Sequence, residues 1–352
     1  MGDYPIIDAD GHVREPMARI RELLGPLGQR RSLFQDDTWD RQLRGTLGQY
    51  PQSPVDQLRD MDTDGIDVMV LYPTAGLSIG VIADDEYAAA LASAYNTALH
   101  EFCQANPERL KFVALLAPQQ LDASVAELRR AVTQLGAVGA MVPTHIPLRP
   151  DFGHRWWDPL WAEAERLGVA MAFHHRSVHG EATDQRHHRF ITVHTIGHPV
   201  EQMISLTSVI FGGVVERFPR LRLAFLEGGV GWVPYWMDRM DEEAEKRGHI
   251  EAPELTKLPS EYIRGGNIFF GVECEEKTIP DGVRWGLEDT LLFASDYPHW
   301  DGDWPHTVRS VRERTDLSEE VKRKMVYDNP LRFYNLQNVR RATPAATEAT
   351  AR

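Results

Sequence analysis

Cysteine is scarce in this chain of 352 residues, which contains only Cys103 and Cys274. Two thiols so far apart in sequence do not suggest a disulfide framework, and a cytoplasmic location is expected. The chain also lacks an apolar run of about 18 residues, so no transmembrane helix is predicted. No basic segment followed by an apolar one opens the sequence, and no signal peptide is therefore expected.

Positive charge is in short supply as well. Lysine and arginine number 38 against 52 aspartate and glutamate residues, which gives a formal net charge of −14. A surface that binds phosphates needs the opposite sign. Nucleic acid and anionic membranes are therefore not expected as partners, and the surplus of acid is most simply explained as a contribution to solubility.

Eight short apolar segments alternate with stretches of helical pattern. Segments that are apolar almost throughout are typical of strands buried on both faces. Eight strands alternating with helices indicate a (β/α)₈ barrel of the TIM type, whose usual length is about 250 residues. A doubly wound open sheet is the alternative, but the GxGxxG turn of a dinucleotide-binding sheet is absent after the first strand. The predicted strands are 4–10, 66–73, 110–118, 137–143, 169–175, 221–229, 267–273 and 291–296.

The length beyond a minimal barrel has two predicted locations. Insertions are expected after the first strand, at 17–53, and after the fifth strand, at 176–197. We expect residues 1–340 to form one barrel domain. The tail 341–352 has no apolar pattern and is expected to be disordered.

Three polar residues follow one another at every second position near the start of the chain: Asp8, Asp10 and His12. In a strand, residues at this spacing share one face. The carboxyl ends of barrel strands carry the active site, so Asp10 and His12 are expected at its inner rim. Carboxylate and imidazole groups together are suited to a divalent cation. The alternative is that the acids cap a turn and that His12 is merely exposed.

Two further strands are predicted to end in groups that bind metals. The fifth ends in His174 and His175, and the eighth ends in Asp296. Three strand ends of this kind favour a metal site. Seven of the 14 histidines lie between residues 174 and 198. Among them His198 could project into the active site or simply cap a helix.

The segments IDADGHV, VAMAFHH, LAFLEGGVGW and FASDYPH, in this order, resemble the amidohydrolase superfamily. The similarity is greater to its branch of aminocarboxymuconate semialdehyde and γ-resorcylate decarboxylases, and it runs from about residue 4 to residue 336. The resemblance implies one divalent ion, Zn²⁺ or Mn²⁺. A small acidic substrate and a homodimer or higher homo-oligomer are also expected. The implied metal ligands are Asp10, His12, His174 and Asp296.

The sequence departs from this branch in two places. The fourth strand, in GAMVPTH, has no lysine to hold a second metal ion. Glu227 occupies the place after the sixth strand where the decarboxylases often have a histidine. Glu227 is therefore expected either to act as an acid or base or to be a buried carboxylate paired with arginine or histidine.

Two reactions suit such a site. In nonoxidative decarboxylation, which we favour, Asp296 delivers a proton to carbon as carbon dioxide leaves. In hydrolysis, Asp296 takes a proton from metal-activated water that attacks an amide, a lactone or a ketone-type carbonyl. An inactive barrel that serves as a binding or scaffold protein is a third alternative, although all four ligand positions are intact.

Further residues are assigned to the same site. Glu227 and His198 are the other catalytic candidates. Arg176 is expected to bind a substrate carboxylate, unless it pairs with an acid of the protein. The other residues predicted to bind the substrate are His175, Trp300 and Tyr72.

Overall fold

The computed structural model describes residues 4–30, 32–34, 53–176 and 186–342. Its eight strands form one sheet in which each strand pairs in parallel with the next along the chain. The predicted (β/α)₈ barrel is confirmed. The strands are β1 (Ile7–Val13), β2 (Val68–Pro73), β3 (Leu110–Leu115), β4 (Gly139–Pro143), β5 (Ala170–His174), β6 (Leu223–Phe225), β7 (Ile268–Glu273) and β8 (Leu291–Ala294).

The first and last strands meet through hydrogen bonds that close the barrel. The amide of Asp296 donates to the carbonyl of Asp10 at 3.1 Å, and the amide of His12 donates to the carbonyl of Tyr297 at 2.7 Å. The carboxylate of Asp8 accepts from the amide of Ser295 at 3.0 Å and also from its hydroxyl. These contacts bring the carboxyl ends of β1 and β8 side by side.

Helices surround the sheet, and the caps of one of them show how its residues set its ends. The helix at 54–64 begins after Ser53, whose hydroxyl accepts from the amide of Asp56, and it ends at Gly65 with φ 89°. The α-helices are α1 (Met17–Leu24), α2 (Pro26–Arg30), α3 (Pro54–Asp64), α4 (Asp85–Cys103), α5 (Leu121–Arg130), α6 (Asp158–Leu167), α7 (Phe190–Phe211), α8 (Val214–Arg217), α9 (Val233–Glu243), α10 (His249–Glu251), α11 (Pro259–Arg264), α12 (Ile279–Arg284), α13 (Thr307–Glu313), α14 (Glu319–Arg323) and α15 (Asn329–Tyr334).

Short turns of other helical types complete the secondary structure. The 3₁₀ turns are Ala75–Val81 and Arg155–Trp157, and the π turns are Ala131–Leu135, Ala244–Gly248 and Lys324–Asp328. No helix in the described ranges combines the length and apolar character needed to span a bilayer.

All eight strands differ from their predicted bounds: β1 is shifted, and the other seven are shorter by one to six residues. β1 begins and ends three residues later than predicted, so that Asp10 and His12 both lie within the strand. β6 is shorter than predicted, since only Leu223, Ala224 and Phe225 pair with the neighbouring strands. Of the predicted insertions, residue 31 and the segments 35–52 and 177–185 lie outside the described residues, as does 343–352 of the predicted tail.

Residues of the last helix, α15, close the barrel at the end opposite the active site. The hydroxyl of Tyr334 donates to the carbonyl of Ala9 at 2.6 Å and lies 2.7 Å from the hydroxyl of Tyr72. Both tyrosine side chains are buried. A Cβ at Gly139 on β4 would lie 3.2 Å from the ring of Tyr334, so glycine leaves room for this ring. A column of aromatic side chains therefore fills the barrel below the polar site.

Candidate metal centre and active site

Asp10, His12 and His174 converge at the carboxyl end of the barrel, which we call the mouth. His12 Nε2 lies 3.6 Å from Asp10 Oδ1, and His174 Nε2 lies 3.7 Å from the same oxygen. One ligand atom from each residue lies within 4.8 Å of the other two, and all three side chains are buried. Strands β1 and β5, although far apart in the chain, thus present one oxygen and two nitrogen atoms to a common point.

The imidazole rings are held in one tautomer by backbone carbonyls. His12 Nδ1 donates to the carbonyl of Pro73 at 2.8 Å, and His174 Nδ1 donates to the carbonyl of His175 at 2.9 Å. The Nε2 atoms of both rings therefore carry lone pairs, and both atoms lie near Asp10 Oδ1. Proteins orient metal-binding histidines in this way. Among the described residues, neither Nε2 atom nor Asp10 Oδ1 has a hydrogen-bond partner. These three buried, unpaired atoms fit a divalent cation.

Asp296 lies at the same point from β8. Its Oδ1 atom is 3.2 Å from His12 Nε2 and 2.7 Å from His299 Nδ1. The backbone of Asp296 has φ 53°, a value that non-glycine residues rarely adopt and that tends to mark functional sites. Burial acts to raise the pKa of Asp296, but His299 and His12 outweigh it and hold that pKa well below its usual range.

The electrostatics of the three converging residues also fit a bound cation. Burial raises the pKa of Asp10 well above its ordinary value and lowers the pKa of His174 well below it. Burial acts to lower the pKa of His12 as well, but Asp296 and Asp10 make the net shift upward. A cation at this point would allow both carboxylates to stay ionised and both imidazoles to stay neutral.

The other predicted catalytic residues lie beside this group. Glu227 follows β6 with φ 56°, and its Oε2 atom is 3.5 Å from His174 Nδ1 and 3.0 Å from His198 Nδ1. His198 projects from α7 toward the mouth and does not cap that helix, which begins at Phe190. His175 is buried, and its Nδ1 atom lies 3.0 Å from the hydroxyl of Thr144 at the end of β4.

Arg176 and Tyr72, both predicted to bind the substrate, have protein partners in the structure. Arg176 Nη1 donates to the carbonyl of Ala75 at 2.8 Å. Burial raises the pKa of Glu15, and the nearby charge of Arg176 partly opposes this shift. This favours the alternative in which the arginine pairs with an acid of the protein. The Tyr72 ring lies 5.7 Å from that of His174, but its hydroxyl is bonded to Tyr334. Tyr72 therefore forms the floor of the site.

Trp300 lies at the rim of the mouth. The side chain is 47% exposed, and its ring is 5.9 Å from Phe190 and 5.7 Å from His194. Both of these partners belong to α7. The ring is thus available at the entrance, as expected of a residue that contacts a substrate.

Sequence reasoning missed four polar residues of the mouth. His299 contacts Asp296, and His194 Nε2 lies 3.3 Å from Asp301 Oδ2. Burial raises the pKa of Asp301 to about 7 and that of Glu273, at the end of β7, to about 9. The signal for His299 was available, since it stands three residues after Asp296 in the segment DYPH. The spacing of four between His194 and His198 was another signal.

A (β/α)₈ barrel with carboxylates and imidazoles at its mouth defines a class of metal-dependent enzymes. The family profile described as "Amidohydrolase" matches residues 7–336, nearly the whole chain, and the protein belongs to this family. The resemblance drawn from the sequence motifs is thereby confirmed.

Curated relatives include two kinds of decarboxylase. The chain is 26% identical to 2-amino-3-carboxymuconate-6-semialdehyde decarboxylase of Dictyostelium discoideum, over 80% of this chain and 76% of the relative. It is 31% identical to γ-resorcylate decarboxylase of Rhodococcus jostii, over 69% of this chain and 76% of the relative.

A solved structure shares the fold over nearly the full length. It is a dihydroxybenzoic acid decarboxylase of Polaromonas with bound manganese, at a TM-score of 0.74 and 21% identity. The alignment covers 94% of this chain and 97% of that one.

Proposed function

We propose that this protein is a metal-dependent nonoxidative decarboxylase of a small aromatic or unsaturated carboxylic acid. The observation that carries the proposal is the convergence of Asp10 Oδ1, His12 Nε2 and His174 Nε2, three buried atoms without hydrogen-bond partners among the described residues. The decarboxylases among the curated relatives support the choice of reaction.

The ligands of the ion in this proposal are Asp10, His12, His174 and Asp296. Two oxygen and two nitrogen donors suit either Zn²⁺ or Mn²⁺, and manganese is the ion named for the Polaromonas decarboxylase. When bound, the ion stabilises negative charge on substrate oxygen atoms. The backbone carbonyls of Pro73 and His175 keep the two rings oriented for this task.

In this proposal Asp296 transfers the proton and His299 holds Asp296 in position. The low pKa of Asp296 means that its carboxylate is ionised at neutral pH and can accept a proton from a substrate hydroxyl. Asp296 then delivers a proton to the carbon atom that loses carbon dioxide. His299 Nδ1, at 2.7 Å from Asp296 Oδ1, orients the carboxylate for both steps. Breaking the carbon–carbon bond leaves an electron pair on carbon, and this proton neutralises it.

The substrate in this proposal enters past Trp300 and lies above the ring of Tyr72. Its acidic group requires a positive partner in the mouth. Arg176 is a less direct partner than its place in the sequence predicts, because it already binds the carbonyl of Ala75. The proposed ion is then the principal partner of the substrate carboxylate.

Hydrolysis remains the second candidate, and one observation favours it. Glu227, Glu273 and Asp301 add three carboxyl groups to the mouth, and each of them repels an acidic substrate whenever it is ionised. A neutral amide, lactone or ketone would not be repelled by these groups. In that reaction Asp296 takes the proton of the attacking water.

The deciding experiment is turnover of two substrate panels by the protein loaded with Zn²⁺ or Mn²⁺. One panel contains hydroxylated aromatic and unsaturated acids and is followed by release of carbon dioxide. The other contains amides and lactones and is followed by release of acid. Release of carbon dioxide from at least one acid supports the proposal. Cleavage of amides or lactones with no release of carbon dioxide would replace decarboxylation by hydrolysis.

Two properties of the molecule outside the site belong to the same proposal. A cytoplasmic location is supported by two buried cysteines that form no disulfide with each other. A homodimer or higher homo-oligomer is supported by large apolar side chains exposed on α7 and α9, among them Ile191, Ile204 and Tyr235. Light scattering after gel filtration measures the oligomeric state, and a monomeric mass would contradict this part.

A further inference from the structure

A second group of polar side chains lies in the mouth next to the first. We call it the second cluster and define it as His194, His198, Glu227 and Asp301. One ligand atom from each of His194, His198 and Glu227 lies within 4.8 Å of the other two. Asp301 Oδ2 is 3.3 Å from His194 Nε2. None of these four residues is among the proposed ligands of the first ion.

Local structure brings the four side chains together. His194 and His198 are four residues apart on α7, so they share one face of that helix, and their ring centroids are 4.5 Å apart. Glu227 projects from the end of β6 in a left-handed backbone conformation. Asp301 follows β8. Two histidines one helical turn apart, joined by carboxylates from other elements, form a recurrent arrangement for binding metal ions.

His198 and Glu227 are close enough for a hydrogen bond but do not form one. His198 Nδ1 is 3.0 Å from Glu227 Oε2, yet the two atoms do not have hydrogen-bond geometry, and neither has another partner among the described residues. His198 is only 6% exposed. A buried, unpaired imidazole nitrogen is costly. Ligand atoms on a tetrahedral zinc ion lie about 3.3 Å apart, so a shared cation would account for this distance.

The charge of the mouth also calls for a second cation. Four carboxyl groups meet there: one oxygen atom from each of Glu227, Asp296 and Asp301 lies within 4.8 Å of the other two, and Glu273 adds a fourth carboxyl group from β7. The main electrostatic influences on Glu227 and Glu273 include the other carboxylates. Buried carboxylates this close must hold protons or share a cation. The two histidines are suited to such an ion because each neutral imidazole offers a nitrogen lone pair to it.

We propose that the second cluster binds a divalent transition-metal ion of its own, in addition to the ion proposed at Asp10, His12 and His174. Two imidazole and two carboxylate donors suit a zinc or manganese ion. The proposed site does not need a lysine at the end of β4. The residue there is Thr144, which contacts His175. In this proposal Glu227 serves as a ligand of the second ion. The second positive charge would offset the carboxylates that otherwise repel an acidic substrate.

The experiment counts metal ions per chain in matched variants. The protein is stripped with a chelator, dialysed against excess Zn²⁺ or Mn²⁺, desalted and measured by elemental mass spectrometry. We expect about two ions in the native chain, and about one in each of His198→Gln and Glu227→Gln, because each removes a ligand of the second cluster. His12→Gln should also bind about one ion, and it should lose the first ion instead of the second.

Controls separate this inference from the proposed function. His188→Gln alters an exposed histidine of the same segment and should keep about two ions. Circular dichroism shows whether each variant is folded. If His198→Gln does not fold, Glu227→Gln provides the test in its place. One ion in the native chain, lost in His198→Gln and kept in His12→Gln, would support the second site and contradict the first. An ion count that is the same in the native chain, His198→Gln and Glu227→Gln would overturn the inference.

Discussion

Asp296 Oδ1 lies 3.2 Å from His12 Nε2, although the two residues come from the last and the first strand of the barrel. The contact depends on the closure of the sheet, because the amide of Asp296 also donates to the carbonyl of Asp10. The ring of His12 already donates through Nδ1 to Pro73, so its Nε2 presents a lone pair to the carboxylate. Barrel closure therefore brings together the groups of the proposed metal site.

Replacement of Asp296 is the most direct test of the proposed chemistry. Asp296→Asn keeps the shape of the side chain but removes its negative charge and its capacity to accept a proton. We expect turnover to fall by about 10²–10⁴-fold, as is usual for a group that transfers protons. Steady-state kinetics measure the loss. Asp289→Asn, which changes an exposed acid paired with Lys324, should keep native activity. Near-native turnover in Asp296→Asn would exclude Asp296 as the proton-transfer group.

Removal of metal should change stability as well as activity. An ion that binds only the folded chain stabilises it by about 2.7 kcal/mol when its concentration is 100 times the dissociation constant. We expect the melting temperature to fall on chelation and to recover on addition of Zn²⁺ or Mn²⁺. The double variant His12→Gln/His174→Gln should recover less, because it lacks two proposed ligands of the first ion. Full recovery in that double variant would argue against these ligands.

The main features of the fold could be predicted from the sequence because they depend on repeated local patterns. Apolar segments between helical ones predict eight strands, and all eight are present. The spacing of Asp8, Asp10 and His12 predicts one shared face, but this is wrong for Asp8. The pairing of β1 with β2 shifts register between Asp8 and Gly11, and the Asp8 carboxylate binds Ser295 instead of facing the mouth. A bulge of this kind leaves no sign in an alternating pattern.

Contacts between distant segments are what the sequence could not reveal. The partners of Arg176 and Tyr72 come from the loop after β2 and from α15, more than 100 residues away in each case. The approach of Asp301 to His194 depends on how α7 is placed over the mouth. Residue type and position predict a polar side chain at the mouth, but only the assembled barrel determines which groups are close enough to interact.

Acid should weaken the link between α5 and α6. Glu163 on α6 accepts hydrogen bonds from Arg129 on α5 at 2.7 Å and from Arg166 at 2.7 Å, and these arginines lower the pKa of Glu163 from 4.5 to about 2. A lowered carboxylate pKa stabilises the fold above pH 4.5, and the contribution is lost as the pH falls toward 2.

Glu163→Gln should therefore lower the free energy of unfolding at pH 7 by about 1 kcal/mol or less, because the arginines are largely exposed. The difference from the native chain should shrink when urea unfolding is repeated near pH 3. Glu313→Gln, which breaks an exposed pair with Arg309, should have almost no effect at either pH. A difference for Glu163→Gln that is independent of pH would contradict the assigned pKa.

The two buried tyrosines below the site should differ in their importance for stability. The hydroxyl of Tyr334 has one proton, which it donates to the carbonyl of Ala9, so the hydroxyl of Tyr72 must donate to Tyr334. Tyr334→Phe leaves two buried groups unpaired, the hydroxyl of Tyr72 and the carbonyl of Ala9. Tyr72→Phe removes only the donor to Tyr334, which still donates to Ala9.

An unpaired buried polar group costs about 1–3 kcal/mol, so Tyr334→Phe should reduce the free energy of unfolding by at least that amount. Tyr72→Phe should cost about 1 kcal/mol, the net value of one hydrogen bond. In the double variant the hydroxyl of Tyr72 is also gone, so only the carbonyl of Ala9 is left unpaired. Its destabilisation should therefore be smaller than the sum of the two single changes. Urea unfolding of the three variants measures these differences. If Tyr72→Phe were the more damaging single change, the donor assignment would be reversed, and Tyr72 would have a role at the floor of the mouth beyond its bond to Tyr334.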